Sequence, residues 1–164
     1  MINNILKNGI LGGIIASVFM ASIVFYMKVN EGMELNAIIG FTGMLLAFIF
    51  LILGIKQQRK INNGIITFKQ ALLTGLAISF VISTMYVLVW LIIYYNFFPD
   101  FMEKYSEMVL KNAKPEEVAA KTTEINQMKE WYKNPAMVIL LTYMEIFPIG
   151  LAISIIVALI LKKK

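Results

Sequence analysis

The chain has 164 residues, 59% of them hydrophobic and 15% charged, with a net charge of +5 and a mean hydropathy of +0.75. Soluble domains carry about 25% charged residues and at most about 50% apolar ones, so this composition excludes an ordinary water-soluble globule. With no Cys and no His, disulfides, thiolate catalysis, imidazole acid–base chemistry and the usual zinc or haem ligands are excluded as well, and no cofactor is expected.

The charges are concentrated outside four apolar blocks. The first, residues 9–27, holds no charged residue. It is longer than the roughly 7–15 residues of a signal-peptide core, and FYMKVNEG offers no small-residue cleavage site, so it reads as a retained helix. Residues 38–55 and 71–95 are likewise free of charge, and residues 136–161 contain only Glu145. Each block reaches the roughly 18–20 residues that cross a hydrocarbon core as a helix. The expected fold class is therefore an all-α membrane protein. A single membrane domain spans residues 1–164, with four transmembrane helices in a compact bundle and a helical extracytoplasmic segment at residues 96–135.

Local signals refine the boundaries. The turn-like Asn62-Asn63-Gly64 is followed by Thr67-Phe-Lys-Gln70, a capping-box pattern that starts the third helix near Phe68. Past the third block, Phe98, Phe101, Met102, Tyr105, Met108 and Val109 recur at helical spacing. Pro115, Glu116 and Glu117 suit a helix's first turn. Val118, Ile125, Met128 and Trp131 or Tyr132 then form one apolar stripe. Two short amphipathic helices joined near residues 112–115 are predicted. Tyr94, Tyr95, Trp131 and Tyr132 fit an aromatic belt at one interface.

Charge sets the expected orientation. Lys7, the acid-free stretch 56–69 and Lys162, Lys163 and Lys164 together hold eight of the fifteen basic residues. An even number of spans puts them on one side, which the positive-inside rule makes the cytoplasm. Opposite, residues 96–135 carry six Lys against seven acidic residues. The expected location is a bacterial inner (cytoplasmic) membrane, multi-pass, with both termini cytoplasmic. The basic residues sit beside the spans, so topology explains them and nucleic-acid binding is not expected. Glu31 and Glu34, in the loop between the first two blocks, read as a solvated face.

Small residues recur on one face of every span: Gly9, Gly13, Ser17 and Ala21; Gly40, Gly43, Ala47 and Gly54; Ala71, Gly75, Ser79 and Ser83; Gly150, Ser154 and Ala158. Such stripes let helix backbones approach closely in lipid, and packing within one bundle is their expected use. The expected partners are the lipid bilayer and, through any stripe left free, a membrane-protein partner or a homo-oligomer.

The stretch TYMEIFPIG, residues 142–150, is the candidate polar site. Glu145 falls in the half of the fourth span away from the termini or near its middle, where a carboxylate costs about 2.5–3.5 kcal/mol on insertion scales. Protonation, a hydrogen-bonded pocket or a water-filled cavity would offset that cost. Pro148 lacks an N–H and crowds the Met144 carbonyl, four residues back. Polar companions expected nearby are Thr142 and Tyr143 on the same helix, and Ser79, Ser83, Thr84 and Tyr86 on the third. No basic residue shares that depth, so no salt bridge is expected. No paired carboxylates, nucleophile–base set or phosphate loop is visible, so the chain is not expected to be an enzyme.

The segments TFKQALLTG, STMYVLVWLIIYYNFFPDFMEKY and KNPAMVILLTYMEIFPIGL resemble a four-helix membrane family of Bacteroidetes-type bacteria, known only as a domain of unknown function. The resemblance covers essentially the whole chain and implies an inner-membrane protein. It brings no activity, cofactor or catalytic residue. Two functional readings follow: an accessory, interaction or lipid-associated module and, as the alternative, a small ion- or proton-coupled transporter or channel-like protein using Glu145.

Overall fold

In the computed structural model, which describes residues 1–29 and 37–163, the chain is helical nearly throughout. Four long helices, α1 (Ile2–Val29), α2 (Ala37–Ile61), α3 (Phe68–Asn96) and α6 (Pro135–Leu161), pack together, and two short ones, α4 (Phe101–Lys111) and α5 (Val118–Tyr132), intervene before α6. The four long helices are apolar and long enough to cross a membrane. Large side chains such as Leu45, Phe80, Leu88, Met144, Ile156 and Ile160 cover the outside of the bundle. An apolar exterior of that extent belongs in lipid.

The helix ends follow the sequence signals. The Thr67 hydroxyl accepts from the Gln70 N–H at 3.2 Å while the Gln70 side chain accepts from the Thr67 N–H at 3.1 Å, so the capping box is closed. The preceding turn needs left-handed backbone at Asn63 (φ 56°) and Gly64 (φ 85°), a conformation that Asn and Gly adopt at least cost. It lets the Gly64 N–H reach back to the Arg59 carbonyl at 2.9 Å. At the other end, α3 stops at Asn96, and the chain turns through residues 97–100 into α4. One turn of 3₁₀ helix at Pro115–Glu117 then leads into α5. Both short helices were expected, as was their junction.

The first helix is longer than its apolar block, beginning at Ile2. Its polar start is held by α2: Asn4 Nδ2 donates to the Gly54 carbonyl at 2.8 Å, and Asn8 Nδ2 donates to Gln57 Oε1 at 2.9 Å. Both asparagines are buried. Pairing them within the fold avoids the cost of unsatisfied buried amides. The Lys163 N–H donates to the Ile66 carbonyl at 2.9 Å. The amino-terminal helix start, the α2–α3 turn and the carboxy-terminal end thus gather at one end of the bundle, hereafter the terminal end.

α3 is the central element, packed along α1 on one side and α6 on the other; α2 lies along α1, bears on α3 and touches α6 more slightly. The small-residue faces make these approaches possible. A Cβ added at Gly9 would meet Val81 at 2.6 Å, and one at Gly75 would meet Ser154 Oγ at 2.7 Å. Ser17, Ala47, Ala71, Ser79, Ser83, Ser154 and Ala158 are all buried. The stripes are consumed inside the bundle. Gly40 lies where side-chain surroundings are not described, and Glu31 and Glu34 lie outside the described residues. Across the middle of the bundle Ala47, Phe48, Leu51, Ile55, Ile78, Ile82 and Ile146 form a packed layer with no exposed surface.

Candidate functional site

Towards the other end the bundle holds a cavity of about 290 Å³ among α1, α2, α3 and α6, with Phe101 of α4 and Tyr132 of α5 in its wall. Its walls include Ala16, Met20 and Val24 from α1, and Met44 from α2. Phe101 of α4 adds a further apolar ring, and Tyr86 and Trp90 of α3, Tyr132 of α5, and Thr142 and Glu145 of α6 supply its polar side-chain groups.

Glu145 reaches this cavity because of its position on α6. The Asn134 side chain caps that helix, accepting from the Ala136 N–H at 3.0 Å, and Pro135 occupies its first turn. Glu145 follows ten residues later, about 15 Å along the axis. The buried face of α6 carries Val138, Thr142, Ile146, Gly150 and Ser154, and Glu145 sits on one flank of it. The residue as a whole is exposed, while neighbouring side chains crowd its carboxyl. The Tyr86 hydroxyl lies beside that carboxyl. No Lys or Arg is among the described residues lining the cavity.

The other residues expected beside Glu145 are distributed differently. Thr142 is buried on the cavity wall, and its hydroxyl donates to the Val138 carbonyl at 2.7 Å. Tyr143 lies on the opposite flank of α6, with its hydroxyl 2.7 Å from Thr84 Oγ1 and its ring stacked on Phe80 at 6.2 Å. The Thr84 hydroxyl also donates to the Phe80 carbonyl at 2.7 Å, so Tyr143 is the donor of that pair. Ser79 and Ser83 are fully buried, and their hydroxyls have no hydrogen-bond partner among the described residues. Ser79 packs against Gly150. Pro148 is exposed within a helix that continues through it. The structure therefore joins Glu145, Tyr86 and Thr142 at the cavity, pairs Tyr143 with Thr84 elsewhere, and leaves the two serines as packing groups.

The residues that sequence reasoning did not place here are aromatic. Trp90 and Phe101 meet edge to face, centroids 4.9 Å apart, and Tyr132 lies 5.4 Å from Tyr94 and 6.3 Å from Phe101. The Trp90 indole lies near the Tyr132 hydroxyl. The sequence places residues 131 and 132 in an interfacial belt. The apolar stripe of α5 held the signal, but only the fold shows that Tyr132 lines a cavity.

Burial, and then the neighbouring Glu145 carboxyl, push the Tyr132 phenol up to about 12. A raised folded-state value favours the protonated phenol, so this stabilisation is fully present below the unfolded value near 10 and is lost as pH rises from about 10 to about 12. Subtracting the alkaline absorbance titration of a Tyr132→Phe variant from that of the wild type isolates this phenol. A midpoint well above 10 is expected. A midpoint near 10 would mean that Tyr132 is open to water.

The fold and the cavity define an all-helical multi-pass membrane protein. Residues 7–163 match the model of a family described as "Protein of unknown function (DUF4199)", and the chain belongs to that family. The membership agrees with the resemblance read from its third and fourth spans. No curated protein and no solved structure matches the chain.

Proposed function

We propose that this protein is a non-enzymatic, lipid-associated module of the bacterial inner membrane whose cavity holds the polar end of an amphiphile. Both termini face the cytoplasm in this reading, and α4 and α5 lie outside. The distribution of Lys and Arg supports that orientation. The terminal end carries Lys7, Lys56, Arg59, Lys60 and Lys69, whereas the α4–α5 end carries near-balanced charge, tied partly into local pairs such as Lys121 with Glu117 at 3.1 Å.

The observation that carries the reading is the make-up of the cavity. A cavity with apolar walls and a few convergent polar groups is the usual form of a small-molecule site. Below it, Phe48, Leu51, Ile78 and Ile82 pack with no exposed surface. Among the described residues lining the cavity, Glu145 is the one carboxylate, so neither a carboxylate pair nor a nucleophile with its base is assembled there.

Ion or proton transport is the competing reading, favoured by a carboxylate at membrane depth on a cavity wall. The packed layer of Phe48, Leu51, Ile78 and Ile82 below the cavity opposes it. Proteoliposomes decide between the two: wild-type vesicles are expected to dissipate a proton gradient no faster than protein-free vesicles, with no change on Glu145→Gln. A wild-type flux that disappears in Glu145→Gln would overturn the proposal.

A further inference from the structure

We propose that the amphiphile is cationic: an amine or quaternary ammonium head on a hydrocarbon tail, with Glu145 as its counter-ion inside a cage of aromatic rings. The proposal rests on the amphiphile reading above and specifies what that cavity selects.

The first argument is charge. The Tyr86 hydroxyl is the polar neighbour of the Glu145 carboxyl among the described residues. An ionised carboxylate offers about four acceptor sites, and in a medium poor in water it requires a cation or a proton. No Lys or Arg is among the described residues lining the cavity. Three cations of the adjoining end are held elsewhere: Lys28 Nζ donates to the Phe97 carbonyl at 2.6 Å, Lys104 lies 3.5 Å from Asp100, and Lys133 lies 2.6 Å from Glu130. A cationic head supplies the compensating charge from outside the chain. Anionic heads are repelled by the same carboxylate.

The second argument is the chemistry of the remaining wall. Tyr86, Trp90, Phe101 and Tyr132 line the cavity on three different helices. Ring faces attract ammonium groups through their quadrupole, and several rings around one site is the arrangement that recognises quaternary ammonium ligands. A carboxylate together with rings selects positive charge more strongly than either alone. Neutral sugar heads would find few acceptors or donors here beyond Tyr86 and Glu145.

The third argument is size. A volume of about 290 Å³ holds a small head and the first part of a chain, at the low end for ligand sites. The tail is placed beside α2, whose Phe41 and Met44 line the cavity. On that rim Phe41 is half exposed. The head is thus buried while the tail continues into lipid.

The chain has two tryptophans, Trp90 and Trp131, so Trp131→Phe leaves Trp90 as a reporter inside the cavity. This protein, in lipid nanodiscs, is titrated with dodecyltrimethylammonium, dodecylphosphocholine, dodecyl maltoside and dodecyl sulfate at mole fractions too low to disturb the bilayer. The expected result is a saturable Trp90 response, with the cation bound about tenfold more tightly than the neutral chain. Glu145→Gln should remove that preference, Phe101→Leu should weaken the cation more than the neutral chain, and Tyr143→Phe, on the other flank of α6, should leave it unchanged. Equal binding of cation and neutral chain, or cation binding unaltered by Glu145→Gln, overturns the charge selection while leaving the amphiphile reading standing. No saturable response to any of the four overturns both. Should Glu145→Gln not fold, the wild-type series and Phe101→Leu decide the matter.

Discussion

Gly150→Val should destabilise the folded bundle by about 3 kcal/mol, at the upper end of the range for overpacking a core. Gly150 lies where α6 crosses α3. A Cβ there would collide with Ser79 Oγ and come within 2.7 Å of the Phe48 ring and 2.8 Å of Ser79 Cβ. None of these neighbours can give way easily: Ser79 and Phe48 have no exposed surface, and both belong to packed helices. Lipid offers no hydrophobic force to hold mismatched helices together, so close packing carries the association. Thermal unfolding in detergent, followed by circular dichroism, measures the effect. The lipid-facing change Ile156→Val, at a residue 56% exposed, should leave the midpoint close to wild type. The contact also has a signature in a double variant. Ser79 forms no hydrogen bond among the described residues, so Ser79→Gly removes the colliding atom at little cost. Ser79→Gly combined with Gly150→Ala should then be more stable than Gly150→Ala alone, because the two sites couple directly. An unchanged midpoint in Gly150→Val would show that α3 and α6 do not meet here.

Much of this bundle was legible before any coordinates. The spans follow from apolar length, the start of α3 from Thr67 and Gln70, and the start of the α5 segment from Pro115. The small-residue faces predict which sides of the helices turn inward, because backbone approach in lipid depends on them. The site was legible only in part. Glu145 stands out because a carboxylate in an apolar helix has few ways to be tolerated, and Tyr86 was among its expected companions. Tyr143 was grouped with it on sequence proximity. Two residues on a helix are about 200° apart, so Glu145 and Tyr143 face different neighbours, and Tyr143 is found with Thr84 instead. Trp90, Phe101 and Tyr132 come from three helices whose relative rotation no periodicity encodes. Hydrophobic patterning reports which face of a helix is buried, not which flank of a neighbour it meets.

The cavity above a packed middle layer is the feature from which the functional reading grows. Met20 lines the cavity, whereas Ile78 lies in the packed layer with no exposed surface. Because the chain contains no cysteine, Met20→Cys and Ile78→Cys each introduce a unique thiol, and both substitutions remove volume. The most direct measurement is the rate at which a small, water-soluble, membrane-impermeant thiol reagent modifies each variant when added to one face of the membrane or the other. The account predicts that Cys at position 20 reacts only from the face carrying α4 and α5, that dodecyltrimethylammonium slows this reaction, and that Cys at position 78 reacts from neither face. Modification of position 20 from the face carrying the termini, or comparable reactivity at position 78, would contradict a one-sided cavity above a packed floor.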